Sequence, residues 1–401
     1  MSQIQSSQSA MNGAAFRAAV ISRLRGVLHD PQGFVPLHAP EFSGAEWDMV
    51  KDCLDTGWVS SVGSYVDRFE RDVALACGVA HGVALVNGTA ALHLALQVVG
   101  VVPGDEVILP AMTFVATANA VRHAGAVPHF VDSDARTLGL DAHALSRHLD
   151  AVAEERGGQF FNRETGARIA AIMPMHVFGH PTDMGPLLDL AKAYNLPVVE
   201  DAAEALGSRY HGRPCGGLGR IAALSFNGNK ILTTGGGGAI VTDDADLARH
   251  AKHLSTTAKR PHRWAFDHDE VAYNFRLPNI NAALGCAQLE QLEDRLLHKR
   301  ALAENYIAGF ADLNGATIFR EPEGCKSNYW LNTLILDQDR AAERDALLDE
   351  LNEAGLMCRP VWTLLHRLPF YTNCPRAPLP VAEDLERRII SLPSSANLGV
   401  L

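Results

Sequence analysis

Val83-Ala84-Leu85-Val86-Asn87-Gly88-Thr89-Ala90-Ala91-Leu92-His93-Leu94-Ala95-Leu96 passes from a four-residue apolar run, through a polar turn, into an apolar segment of helix length. The first part reads as a buried strand, and Thr89 is a helix-entry residue, so the end of a strand feeds the start of a helix. The unit recurs downstream. Glu106-Val107-Ile108-Leu109, Val127 to Val131, Ile169 to Met173 and Leu196-Pro197-Val198-Val199 are short apolar runs separated by helix-length stretches, one of them opened by Thr182-Asp183-Met184. Such alternation predicts an α/β fold with a mainly parallel sheet, and places any ligand crevice beyond the carboxyl ends of the strands.

Outward from this core, Ala14 to Leu28 is one amphipathic stretch followed by a passage from Pro31 to Pro40, and residues 1–40 read as an N-terminal arm. Residues 41–275 read as the large α/β domain. Beyond about residue 285 the texture changes to a charged helical segment, Leu289 to Phe310, a strand, Tyr329 to Leu336, a helix, Arg340 to Ala354, and an Arg/Pro/Trp-rich passage, Arg359 to Pro369. Residues 276–401 are therefore expected to form a smaller C-terminal α+β domain.

The chain has 401 residues, 47% of them apolar, enough to bury a large core. With 35 Lys+Arg against 46 Asp+Glu the net charge is −11, which argues against a nucleic-acid partner. The opening Met1 to Ser7 is polar and no apolar run approaches a membrane span, so a cytoplasmic protein with no membrane partner is expected. Seven scattered cysteines without a Cys-x-x-Cys pair suit reduced thiols, and the histidines lack metal-ligand spacing, so no metal is expected.

Three strand-end features can carry chemistry. Asn87-Gly88-Thr89-Ala90 offers backbone N–H groups and a hydroxyl to an anion at a helix terminus, although alone it is equally ordinary capping. Val198-Val199-Glu200-Asp201-Ala202-Ala203-Glu204 ends a buried strand on two acids, with a third one helical turn on. Leu224-Ser225-Phe226-Asn227-Gly228-Asn229-Lys230 sets a lysine before the glycine run Gly235 to Gly238, which is expected to let the chain pass close to that lysine. Together they make an anion cradle, a buried acid and a lysine. Pyridoxal 5′-phosphate needs such a set: an amine for its aldehyde, a carboxylate for its pyridine nitrogen, and donors for its phosphate.

The chain also resembles the PLP-dependent nucleotide-sugar aminotransferases of the DegT/DnrJ/EryC1/StrS family, a branch of the aspartate-aminotransferase-like fold (PLP fold type I). The resemblance runs from about Phe34 to the C-terminus. It rests on Asn87 to Leu92, Thr113-Phe114-Val115-Ala116-Thr117, His176-Val177-Phe178-Gly179, Glu200 to Glu204, Ser225 to Lys230 and Tyr273-Asn274-Phe275-Arg276. It implies that Lys230 is the Schiff-base lysine, Asp201 the partner of the pyridine nitrogen, and Phe114 the ring stacked on the cofactor. It further implies that Gly88, Thr89 and Ser225 hold the phosphate, and that Asn274 reaches the cofactor phosphate of a neighbouring subunit, which makes a homodimer with shared active sites the expected assembly. Glu204 stands where many relatives carry Gln or His near the ring hydroxyl, and its bond partner is left open.

The expected chemistry is a two-step transfer in which Lys230 shuttles a proton between the substrate α-carbon and the cofactor. L-glutamate gives up its nitrogen and a nucleotide-linked keto-sugar collects it. His176 is a candidate for lining the site, Tyr329 another, and Arg260 and Arg263 in the basic run Lys259 to Arg263 could meet a sugar-nucleotide diphosphate. Phrases such as Trp58-Val59-Ser60-Ser61-Val62-Gly63 and Ser327 to Asn332 look most like the legionaminate-type branch, which implies a UDP-linked 4-keto-6-deoxy-N-acetylhexosamine. A GDP- or dTDP-linked sugar is the alternative, as is a non-catalytic PLP-binding sensor. A PLP-dependent dehydratase of this scaffold carries histidine in place of the lysine, so Lys230 argues against it.

Overall fold

The computed structural model describes residues 12–399, so the opening Met1 to Ser7 lies outside it. Seven strands form one sheet: β1 (His81–Leu85), β2 (Glu106–Pro110), β3 (Val127–Val131), β4 (Arg168–Ile172), β5 (Val199–Asp201), β6 (Ile221–Ser225) and β7 (Gly238–Thr242). β2 pairs in parallel with β3, Glu106 opposite Val127, and with β4, Val107 opposite Ala171. The parallel bridges Ile172–Val198 and Met175–Asp201 lead from β4 to β5, and β5 pairs in parallel with β6, Val199 opposite Ile221. β7 alone is reversed. It pairs antiparallel with β6 on one side and β1 on the other, giving the order β3-β2-β4-β5-β6-β7-β1.

The sheet is thus mainly parallel, as the alternation predicts. Its one reversal goes with the connection that leads into it: residues 226–237 contain no helix, and a parallel return usually runs through a helical crossover. β2 is buried along its whole length, as a strand covered on both faces must be. A hairpin absent from the sequence reading, Ala153–Arg156 with Gln159–Asn162, adds to the edge of β4. Gly157 and Gly158 both have positive φ (61° and 80°), the backbone that a two-residue hairpin turn of type I′ requires.

The helix that follows β1, Gly88–Val98, is capped by the Asn87 side chain, which accepts the Ala90 N–H at 2.8 Å. Capping is therefore done by Asn87, and Thr89 is left for other partners. In the glycine run, the close approach is to this turn and not to Lys230: a Cβ on Gly238 would lie 2.4 Å from the backbone carbon and oxygen of Asn87, whereas one on Gly236 would meet nothing.

The C-terminal part carries an antiparallel sheet in the order Ala316–Ile318, Asn332–Leu336, Ile389–Leu392, Arg359–Pro360. Three expected boundaries move. The charged segment divides at Gln291 into helices Asn279–Glu290 and Leu292–Gly309; the strand starts at Asn332 because Tyr329 has φ 46°; and Gln338–Glu343 is 3-10 helix ahead of the α-helix Arg344–Glu353. The first helix, Gly13–Val27, lies within the stretch read as an N-terminal arm and is packed against the fold. Its buried stripe of Phe16, Val20 and Leu24 packs with Leu302, Tyr306, Leu334 and Leu347 in the core of the C-terminal sheet and helices. Truncating the fully buried Phe16 to Ala should cost about 3–5 kcal/mol of unfolding free energy in urea titrations. An unchanged midpoint would contradict this packing.

Candidate active site

Successive side chains on a strand point to opposite faces, and β5 uses this to separate its two acids. Glu200 turns into the interior, where Oε2 meets His176 Nε2 at 2.9 Å and accepts the Gly216 N–H, while Oε1 accepts the N–H groups of Leu218 and Gly219 at 2.7 and 2.6 Å. Burial works against its charge, but His176 and these N–H groups outweigh it and hold the carboxyl below its usual value. Asp201 turns the other way, onto a cavity of about 280 Å³. Burial pushes its carboxyl up despite a 2.7 Å hydrogen bond from Thr117 Oγ1 to Oδ2 and the Ala203 N–H on Oδ1.

Lys230 lines the same cavity. Its Nζ lies 3.1 Å from Glu204 Oε1 and 4.0 Å from the centre of the Trp330 ring. Trp330 is itself anchored, its indole N–H donating to the Asn229 carbonyl at 2.7 Å and its own carbonyl accepting Lys299 Nζ at 3.0 Å. Glu204 is almost fully buried, and its second oxygen accepts the Phe178 N–H at 2.9 Å. The open question of its partner has this answer in the chain: one oxygen to Lys230, the other to Phe178.

Gly88, Thr89, Ser225 and Phe114 line the cavity too. A Cβ on Gly88 would sit 2.8 Å from Ser225 Cβ, so the turn and the end of β6 approach as closely as glycine allows. This donor set suits pyridoxal phosphate. The glycine turn and two hydroxyls could hold its phosphate, Asp201 could face a protonated ring nitrogen whose charge would offset the cost of burying the carboxylate, and Phe114, 47% exposed, could cover its ring. When bound, the cofactor supplies an aldehyde for amines and a ring that takes up electron density.

Other expected site residues stand elsewhere. His176 is fully buried behind β5, with Nε2 on Glu200 and Nδ1 accepting the Thr182 N–H, so it supports the strand and does not line the cavity. Tyr329 is 2% exposed, its hydroxyl accepting the Glu321 N–H and its ring beneath the Arg300 guanidinium. Arg260, 3.6 Å from Asp267, and Arg263, packed over Trp264, lie on an exposed segment outside the cavity, and the exposed Asn274, expected at a neighbouring subunit's site, accepts from Arg276 within its own chain. Asn87, Thr117, Trp330 and Trp362 were not among the expected residues. Thr117 follows Thr113 by one helical turn in a quoted motif, which was its signal; Trp362 carried none beyond the Arg/Pro/Trp composition around it.

All seven cysteines are unpaired. Among the described residues His253, Asp269 and Glu270 bring ligand atoms within 4.8 Å of one another, but none of them lines the cavity, and His253 Nε2 already meets Asp269 at 2.6 Å. No helix among those residues is long and apolar enough to cross a membrane.

The DegT/DnrJ/EryC1/StrS aminotransferase family model matches residues 40–400. GDP-perosamine synthase of Caulobacter vibrioides is 39% identical over 365 residues, 91% of this chain and 94% of its own. GDP-perosamine synthase of Escherichia coli O157:H7 is 37% identical over 366 residues, again 91% and 94%. Among solved structures, the aminotransferase TlmJ from Streptoalloteichus hindustanus superposes with a TM-score of 0.81 at 30% identity, covering 90% of this chain and 94% of that one.

Burial moves the Glu204 carboxyl from 4.5 up to about 7, against the pull of Lys230 and the Phe178 N–H. In the cofactor-free protein the folded state therefore keeps a proton that the unfolded chain releases at lower pH, and the stability this contributes is complete below about pH 4.5 and lost as the pH rises to about 7. Relative to Glu204→Gln, the wild type should lose ground in urea midpoints between pH 5 and pH 8. A wild type that gained ground over that interval would contradict the assignment.

Proposed function

This chain belongs to the DegT/DnrJ/EryC1/StrS aminotransferase family and is a sugar aminotransferase that works with pyridoxal 5′-phosphate, and we propose that it moves the amino group of L-glutamate to a GDP-linked 4-keto-6-deoxy sugar. The observation that carries the reading is that a lysine amine and a buried carboxylate, Lys230 and Asp201, line one cavity beside a glycine turn. In this proposal Lys230 Nζ takes the proton from the donor's α-carbon and later returns one to the acceptor's carbon. Asp201 keeps the ring nitrogen protonated, with Thr117 holding the carboxylate in place. Gly88, Thr89 and Ser225 bind the phosphate. The Trp330 ring packs over the amine, 4.0 Å from Nζ to its centre, and forms that wall of the cavity.

The nucleotide assignment rests on the relatives. The sequence phrases pointed to a UDP-linked acetamido sugar of the legionaminate type, but the two relatives above, each covering nine-tenths of the chain, are GDP-perosamine synthases, which favours the GDP-linked alternative. A homodimer is part of the proposal. Asn274, Arg260 and Arg263 stand outside the cavity of their own chain, on a segment that exposes Trp264, Phe266 and Val271 by 73, 81 and 97%, a degree of apolar exposure suited to burial against a second copy.

Offered glutamate with GDP-, UDP- and dTDP-linked keto-sugars, the enzyme should show its highest kcat/KM with the GDP-linked one; a UDP-linked optimum would reverse the nucleotide assignment. Lys230→Ala should lower turnover by about 10²–10⁴-fold, the usual worth of a positioned proton-transfer group, and normal turnover would remove Lys230 from the mechanism. Mixing inactive Lys230→Ala with inactive Asn274→Ala protein should regain activity, because a mixed dimer holds one intact site. No recovery after subunit exchange would put Asn274 outside the neighbour's site.

A further inference from the structure

Once the cradle, Asp201, Lys230 and Phe114 are assigned to the cofactor, the aromatic side chains that remain in the cavity wall are Trp330 and Trp362, beside the amides Asn227 and Asn229 and small or aliphatic residues such as Leu92 and Met175. Trp330 is committed, with its ring against the Lys230 amine and its N–H on Asn229. Trp362 is not. It is half-buried, its indole N–H has no hydrogen-bond partner among the described residues, and its ring contacts are with Phe114, centroids 6.3 Å apart, and Phe178, 5.1 Å apart at 34°.

Phe178 holds that indole in place. Its φ of 56° lies in the left-handed region that a residue with a Cβ seldom adopts, and such conformations persist only where the surroundings impose them. Here the Phe178 N–H is held by Glu204, the carboxylate whose other oxygen meets Lys230, and its carbonyl accepts the Leu331 N–H at 3.3 Å. The Trp362 ring is therefore registered against the reacting amine through one carboxylate and one buried phenyl ring.

Resting on the aminotransferase reading above, we propose that Trp362 is the platform for the hexose ring of the nucleotide-linked acceptor, with Phe178 as its positioning residue. A pyranose presents a face of C–H groups that packs on an indole, and its hydroxyls can use the free N–H. The amino donor, glutamate, is small and anionic and has no such face. Trp362 should therefore serve the acceptor half-reaction and leave the donor half-reaction alone, a division that a purely structural role would not produce.

The test uses Trp362→Leu and Trp362→Phe in the PLP-loaded enzyme and follows the two half-reactions separately. With glutamate alone, the change in cofactor absorbance should proceed at a rate within about twofold of wild type in both variants. With the keto-sugar, KM should rise at least about tenfold in Trp362→Leu and by less in Trp362→Phe, which keeps a ring against Phe178. Calorimetric binding of the nucleotide-linked amino-sugar product to the cofactor-free proteins should weaken in the same order. If Trp362→Leu fails to fold, a rise of about threefold or more in KM and product Kd for Trp362→Phe still supports the platform. Unchanged acceptor KM and product binding in a folded variant overturns it, as does an equal loss in the glutamate step. A wild type that turns over no keto-sugar yet binds the product would defeat the functional reading instead, while product binding unaffected by either variant defeats this inference alone.

Discussion

The strand β5 must carry two adjacent carboxylates into a protein interior, and the site depends on how that burden is divided. Two-residue alternation sends Glu200 and Asp201 to opposite faces, so each meets a different environment. Glu200 has both oxygens satisfied, by His176 and three backbone N–H groups. This makes it a fastener between β5 and the loop 216–219. Asp201 receives only Thr117 and the Ala203 N–H, and burial leaves its carboxyl raised. An incompletely satisfied buried carboxylate is costly on its own, and a cationic ring nitrogen is the kind of partner that would remove the cost. The same fastening explains His176: its place in a strand-end motif comes from supporting the strand and not from touching a ligand.

Glu204 plays a similar double part on the other side of the cavity. One turn after Asp201, it reaches Lys230 with one oxygen and the strained Phe178 backbone with the other. Trp330, over the amine, is held from behind by Lys299, a fully buried lysine whose Nζ donates to the carbonyls of Trp330 and Ser394. Burial drives that amine well below its usual pKa. With its Nζ donating to these two carbonyls, Lys299 fixes Trp330 from behind without an acid partner among the described residues.

Much of this was legible because it is local. Apolar runs followed by helix-entry residues marked β1 to β4, and the ordered acids, serine and lysine marked the cavity's polar wall, because each sits at a strand end where the chain itself carries it to one edge. What was not legible depends on distant contacts. Nothing near residue 362 reports that it will stand beside Phe114, and nothing near Phe16 reports that its helix will be covered by Leu302 and Leu347. Tyr329 and His176 do not line the cavity for the converse reason: a motif gives proximity along the chain, and only the fold decides which face a side chain takes.

The reversed strand ties these elements together. Parallel strands deliver their carboxyl ends to one edge of the sheet, which is where β1 leads into Asn87, β5 ends at Asp201 and β6 ends at Ser225. A strand inserted antiparallel between β1 and β6 presents its first residue there instead, and that residue, Gly238, pairs with Leu85 on one side and Ser225 on the other. A side chain at this point would run into the Asn87 backbone 2.4 Å away, just where the turn must keep its N–H groups free for an anion. The reversal of β7 and the glycine at its start are therefore one solution: the reversal closes the gap between β1 and β6, and the missing Cβ lets the gap close without displacing the cradle.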